Sequence, residues 1–203
     1  MSRVEYDPTI SMREARAQYF LANAFGEDGG YTAAWVDFKL GPIPMPIPNL
    51  PSRVRAVKVH DLHHIVTGYQ TDTLGEFEIS AWELGAGCKD FYAAWYLNLS
   101  GMTAGIVIPS RVFRAFVRGR RSTSLYGQSI DALLEQTVRD TRAQTRVPET
   151  APAASVSDYA LFVATLCLGV TATIPFVLAS PLLVAMGVFN HLKRKSERAT
   201  QAS

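Results

Sequence analysis

The sequence predicts an all-α protein: a single helical domain containing a metal-binding helix pair, followed by a C-terminal hydrophobic membrane segment. Three observations carry that expectation. Residues 1–146 place apolar side chains at helical spacing with capping signals, and no strand-like alternation is strong enough to predict a sheet. Residues 159–190 run for 32 positions without a formal charge, a composition suited to lipid. Between them, residues 147–157 (VPETAPAASVS) are mostly small and carry Pro148 and Pro152, which reads as a linker. The expected organisation is a helical domain over 1–146, a linker over 147–157, a membrane segment over 158–192 and a basic polar tail over 193–203.

Taken in order, Ser11 with Glu14 three residues on forms a capping box, and Gly26 closes a helix of about 14 residues. Residues 31–40 are a shorter helical candidate. They give way to GPIPMPIPNLP, where Pro42, Pro44, Pro46, Pro48 and Pro51 argue against helix and ladder alike, leaving an extended strap. Its Ile43, Met45 and Ile47 are expected to pack along a helix or to touch lipid. Helices follow over about 53–67, 73–85 and 91–97. In the tail, about 20 apolar residues make one span, so 32 is long for one and short for two. Pro175 and Pro181 either kink one tilted span or mark the turn of a re-entrant hairpin. Arg139, Arg142 and Arg146 before the run balance Lys193, Arg194, Lys195 and Arg198 after it, which favours the hairpin and the cytoplasmic face of a membrane, a bacterial inner membrane in the simplest case. A buried pair of core helices is the alternative.

Composition excludes other classes. The net charge of +2, from 20 basic and 18 acidic side chains, is too small for a protein that neutralises a run of nucleic-acid phosphates, so no nucleic-acid partner is expected. Two cysteines, Cys88 and Cys167, cannot form a disulfide framework or a cysteine-rich zinc site. The opening MSRVEYDPTI lacks the apolar core of a signal peptide, and no export signal is expected.

Three of the four histidines fall in Val59-His60-Asp61-Leu62-His63-His64-Ile65. On a helix His60 and His64 are one turn apart and Asp61 stands three residues before His64, so the three share an arc of about 100°. Two imidazoles with a carboxylate beside them suit a divalent cation, zinc first, with manganese, cobalt or ferrous iron also compatible. Glu76 supplies a further oxygen from the next helix, across a segment in which Gly68 and Gly75 allow a tight reversal. Glu83, two turns beyond Glu76, and His63 are candidates to support the ligands from behind. The competing readings are structural: Glu76 closes a capping box with Thr73, and the histidines form a surface cluster.

The string His60-Asp61-x-x-His64, then eleven residues of which Gly75 is the last, then Glu76 resembles the HDxxH-(x11)-E signature of the coenzyme Q biosynthesis protein 4 family. The similarity extends through Gly68 and Glu83, and more weakly through Gly119-Arg120-Arg121, over about residues 31–145. The resemblance implies an all-helical, membrane-associated protein of ubiquinone (prenylquinone) biosynthesis. It also implies metal ligation by His60, Asp61, His64 and Glu76, which would then be the catalytic groups. Further implied are a polyprenylated quinone precursor as ligand, a role in organising other quinone-biosynthesis enzymes, and lyase chemistry: metal-dependent C1 decarboxylation of a polyprenylated hydroxybenzoate with oxidative replacement by hydroxyl. No flavin or nicotinamide fingerprint is present, so oxidation would rest on the metal and oxygen or on a partner. A noncatalytic lipid-binding scaffold, as a homo-oligomer or in a complex, would use the same residues. From another class, an HD-type phosphohydrolase would also use a His60-Asp61 pair, but it needs a histidine upstream, and none precedes His60.

Two further clusters bear on the bilayer. In the segment 109–118, Arg111, Arg114 and Arg118 fall on one helical face and Val112, Phe113, Phe116 and Val117 on the other, with Arg120 and Arg121 just beyond. Such a helix lies either in the headgroup layer or against the domain core. Phe91, Tyr92, Trp95 and Tyr96, with Trp82 before them, line an isoprenoid tunnel or form plain core.

Overall fold

The computed structural model describes the backbone of residues 5–40 and 43–201; the side chains of residues 37–47, 176 and 190–201 lie outside the described part. The fold is helical, as expected. Helix α1 (Met12–Ala22) begins at Ser11, whose hydroxyl accepts from the Glu14 N–H while the Glu14 carboxylate accepts from the Ser11 N–H, closing the capping box. It ends four residues before Gly26, because Ala24 turns into the left-handed region at φ 54°.

The largest departure comes next. Residues expected to form a short helix and a strap form an antiparallel ribbon, β1 (Trp35–Leu40) against β2 (Ile43–Pro48). The register explains how prolines tolerate a ladder. Pro44, Pro46 and Pro48 pair with Lys39, Asp37 and Trp35, so all three share one parity, while Ile43, Met45 and Ile47 hold the other. Alternate residues of a strand turn their N–H to opposite sides, and the missing donors therefore all fall on the side away from β1. The side-chain contacts expected of Ile43, Met45 and Ile47 lie outside the described residues. The β2 backbone runs beside the C-terminal helix α8 (Val156–Gln201).

Helix α2 (Pro51–Thr67) starts with proline in its first turn and stops at Gly68, at φ 75°, a conformation in which a Cβ would be strained. Helix α3 (Thr73–Ala86) is capped by Asp72, whose carboxylate accepts from the Gly75 N–H at 2.7 Å. The cap is one residue earlier than a Thr73 box requires, which leaves Glu76 free of capping. Helix α4 (Tyr92–Ala104), a 3-10 turn at Gly105–Val107, and α5 (Pro109–Arg120) follow. Helices α3 and α5 cross at two glycines: a Cβ on Gly85 would lie 2.3 Å from the Phe116 carbonyl oxygen, and one on Gly119 would lie 2.1 Å from that of Trp82. Any side chain would force the helices apart. The short α6 (Ile130–Glu135) and α7 (Val138–Thr145) close the domain, with Met12 N–H donating to the Gln136 carbonyl and Val138 N–H to that of Ile10. Trp82, Ile79, Leu62, Ile65 and Met102 sit fully buried where α2, α3 and α4 meet.

Helix α8 runs through both Pro175 and Pro181 without a turn, so the hairpin expectation gives way to one continuous helix. Pro181 has no N–H for the Val177 carbonyl, and the Ser180 hydroxyl donates to that oxygen at 2.7 Å instead. The first turns dock on the domain: Tyr159 stacks on Phe113 with centroids 4.5 Å apart, and Phe162 sits edge-on to Phe113 and Phe116. Further along, Leu168, Val177, Leu178, Leu182 and Phe189 are exposed, Leu178 by 77%. One stretch of α8, Val156–Pro175, is long and apolar enough to cross a membrane.

Candidate metal centre

The Gly68–Asp72 turn lays α3 back on α2 and brings His60, His64 and Glu76 together. Their Nε2, Nε2 and carboxylate atoms converge, with His60 Nε2 3.1 Å from His64 Nε2 and each 3.3 Å from a different Glu76 oxygen. Donors about 2 Å from a tetrahedral cation are separated by about 3.3 Å, so these spacings match the edges of such a site. The His64 side chain is 1% exposed, His60 19% and Glu76 41%, so the cluster is walled by α2 and opens past Glu76.

The outer nitrogens decide what the inner ones do. His60 Nδ1 lies 3.0 Å from a Glu83 carboxylate oxygen and His64 Nδ1 3.0 Å from the Tyr69 carbonyl oxygen. Both partners accept only, so both Nδ1 atoms carry the hydrogen in the neutral rings, and both Nε2 atoms present lone pairs to each other across 3.1 Å, with a carboxylate beside them. Facing lone pairs repel. The arrangement requires a positive occupant, either a proton or a cation. With a proton as occupant, burial alone would push the His60 imidazole down, but Glu83, helped by Glu76, holds it well above its ordinary value. Conversely, burial would raise Glu76, yet His64 and His60 hold it at about 2.

Glu83 is fully buried and has four donors. His60 and His63 donate to Oε1, at 3.0 and 2.7 Å; Asn98 and the Tyr126 hydroxyl (2.7 Å) donate to Oε2. Burial would raise its pKa, but the His60 charge and these bonds pull it well below the carboxylate range. His63 bridges: its Nδ1–H donates to Glu83 and its Nε2 accepts from the Leu125 N–H at 2.9 Å, which fixes it as a neutral ring. Burial lowers its pKa accordingly. His63 shares the Glu83 carboxylate with His60, which ties it to the convergent trio from behind.

Asp61 stands apart from the convergent trio. It is buried beside the trio, but its two oxygens accept from the Tyr19 hydroxyl at 3.3 Å and the Tyr31 hydroxyl at 2.5 Å, and it is not part of the convergent group among the described residues. Burial raises its pKa, against the His60 charge and the Tyr31 bond. Tyr19 also stacks on His64, centroids 5.7 Å apart. Asn98, Tyr126, Tyr19, Tyr31 and the Tyr69 carbonyl were absent from the sequence reading. They approach from other elements, and no spacing signal marks them.

The arginines expected at a membrane surface divide. Arg111 pairs with Glu78 at 2.5 Å, and Arg120 and Arg121 both pair with Asp158 in the first turn of α8, each at 2.7 Å. Arg114 is exposed. Arg118 is 4% exposed and points inward, which removes it from any headgroup-facing set. Helix α5 faces the core, burying Val112, Ala115, Phe116 and Val117. The aromatic group is mixed: Trp82 is core, Phe91 packs on Tyr126, Trp95 donates to the Lys89 carbonyl, and Tyr92 is exposed. Comparison of the chain with known families, with curated proteins and with solved structures finds no match.

Proposed function

We propose that this protein binds a divalent metal through His60, His64 and Glu76 and acts on a polyprenylated aromatic intermediate of prenylquinone (ubiquinone) biosynthesis at a membrane. The observation that carries the reading is the pair of imidazoles whose Nδ1 hydrogens are committed outward, so that two lone pairs and a carboxylate converge on one point. The HDxxH-(x11)-E string supplies the family resemblance, and the apolar α8 supports membrane association. Zinc suits a two-nitrogen, one-oxygen set with an open fourth position, and manganese, cobalt and ferrous iron are compatible.

When bound, such a cation supplies Lewis acidity toward an aromatic carboxylate or phenolate. The chain's own residues do the rest. Glu83 and the Tyr69 carbonyl hold the two rings in one tautomer, and Glu76 stands at the open side, where a ligand enters. Asp61 and Tyr31 share a hydrogen bond beside the site and can hold a proton there. The proposed chemistry is oxidative: the C1–carboxyl bond breaks and carbon dioxide leaves, a C1–hydroxyl bond forms with oxygen from water, and the two electrons and two protons released pass to an oxidant from outside the chain, dioxygen or a partner enzyme. The scaffold reading rests on the same residues and presents the bound lipid to partner enzymes instead. An HD-type phosphohydrolase gains no support, since Asp61 is committed to two tyrosines.

Elemental analysis of the purified protein tests the metal. Stoichiometric zinc, manganese, cobalt or iron is expected; none present and none taken up on titration refutes the reading. Turnover of a polyprenylated hydroxybenzoate by wild type and by His64→Ala then separates enzyme from scaffold, since only the enzyme loses product formation with the metal.

A further inference from the structure

Arg118 is buried at the end of α5, far in sequence from every ligand, and its partners lie on two separate segments. Its Nη1 and Nη2 both donate to the Thr67 carbonyl at 3.1 Å, its Nε donates to the Pro148 carbonyl at 2.6 Å, and its guanidinium lies 5.1 Å over the Tyr69 ring. Thr67 is the last residue of α2, where the helix leaves carbonyls without intrahelical partners and a partial negative charge. Two residues on, the Tyr69 carbonyl receives the His64 Nδ1–H. Arg118 therefore grips both sides of Gly68, the left-handed residue that turns the chain toward α3.

We propose that Arg118 is a positioning residue of the metal centre: it clamps the Thr67–Tyr69 turn so that the Tyr69 carbonyl fixes the tautomer and aim of His64, and it ties that turn to the linker leading into α8. The proposal rests on the metal reading above. A planar fork that stacks on an aromatic ring and bridges two carbonyls is specific to arginine; lysine offers a point charge without the plane. The neighbouring Gly119 fixes α5 on α3, and Arg120 and Arg121 hold Asp158. One turn of α5 thus touches both helices of the metal centre and the start of the apolar helix.

The test is a cobalt(II) titration of the full chain in detergent, reading affinity and the d–d absorption that reports coordination geometry. Arg118→Gln is expected to weaken cobalt binding about ten- to hundredfold, as loss of a ligand's supporting group does, and to shift the absorption. Arg118→Lys should recover part of the affinity. The control is Leu134→Ala, a core truncation in α6 that lowers stability without touching the turn. Wild-type affinity and spectrum in Arg118→Gln, or an equal loss in Leu134→Ala, overturns the proposal. Should Arg118→Gln fail to fold, Arg118→Lys decides, and wild-type binding in it overturns the clamp. A wild-type protein that takes up no cobalt is a separate result, which removes the metal reading and the clamp with it.

Discussion

Around α2 and α3 the interior holds the buried imidazoles of His63 and His64, the partly buried one of His60 and three buried carboxylates, Asp61, Glu78 and Glu83, whereas α8 turns Leu168, Val177, Leu178 and Leu182 outward. Each region departs from the usual distribution of polar and apolar groups, in opposite directions. In the first, every buried charge is met by named donors, and the one unresolved contact is a pair of lone pairs facing each other. In the second, the exposed surface is apolar over several turns and no charge interrupts it. The difference teaches what each region is open to from outside the chain: the first brings together groups that can hold a metal ion, and the second is long and apolar enough to cross a membrane.

The comparison breaks most visibly if α8 is removed. A chain ending at residue 163 keeps the Asp158 clamp and the Phe162 contacts but loses the exposed apolar stretch. In detergent phase separation the full chain should enter the detergent phase and the shortened chain the aqueous phase, with metal binding retained; a full chain that stays aqueous removes the lipid half of the contrast. Next, Glu83→Ala leaves His60, His63, Asn98 and Tyr126 without their acceptor in a site with no water access. A loss of about 3–5 kcal/mol is expected in chemical denaturation, and a loss below about 1 kcal/mol would show that the network contributes little.

The ligand set sharpens the polar side. His64→Ala should weaken metal binding by about a hundredfold or more, while Asp61→Asn, at a residue held by tyrosines, should cost less than about tenfold. Equal losses in isothermal titration would return Asp61 to the coordination sphere. A subtler effect follows from pH. In the metal-free protein the raised His60 pKa means that its imidazolium contributes stability fully present below the ordinary value of 6.5 and lost as pH rises through the folded-state value. A metal replaces that proton, so the stabilisation by added zinc, read as a shift in Tm, should grow as pH rises and shrink toward pH values of about 5. A pH-independent shift would mean that metal binds elsewhere. The smallest effect is Tyr31→Phe, which removes one hydrogen bond to Asp61 and should cost about 1 kcal/mol.

Local signals gave the helices. Ser11 and Glu14 marked the start of α1, Gly68 the end of α2, and the i, i+4 spacing placed His60 and His64 on one face. The ribbon was not legible, because closely spaced prolines read one at a time forbid pairing, and only the common parity of Pro44, Pro46 and Pro48 in the register makes it possible. Glu76 and Glu83 were legible as candidates through their two-turn spacing. Asp61 lies outside the convergent trio, since its place next to His60 on the helix sends its side chain toward whatever packs there, and here that is Tyr19 and Tyr31. Arg118 read as one of a row of basic residues on an amphipathic helix; its inward turn depends on where α5 lies.

By itself the sequence determined the helical class, the pair of imidazoles on one helical face and the charge-free tail, because periodicity, caps and composition act within a few residues. Only the tertiary structure decided which carboxylate meets those imidazoles, which tautomer they hold and which arginine is buried. Most of those outcomes depend on contacts between groups far apart in the chain, 23 positions for His60 with Glu83 and 51 for Arg118 with Thr67. No local pattern encodes such contacts, because packing brings those groups together only after the helices exist.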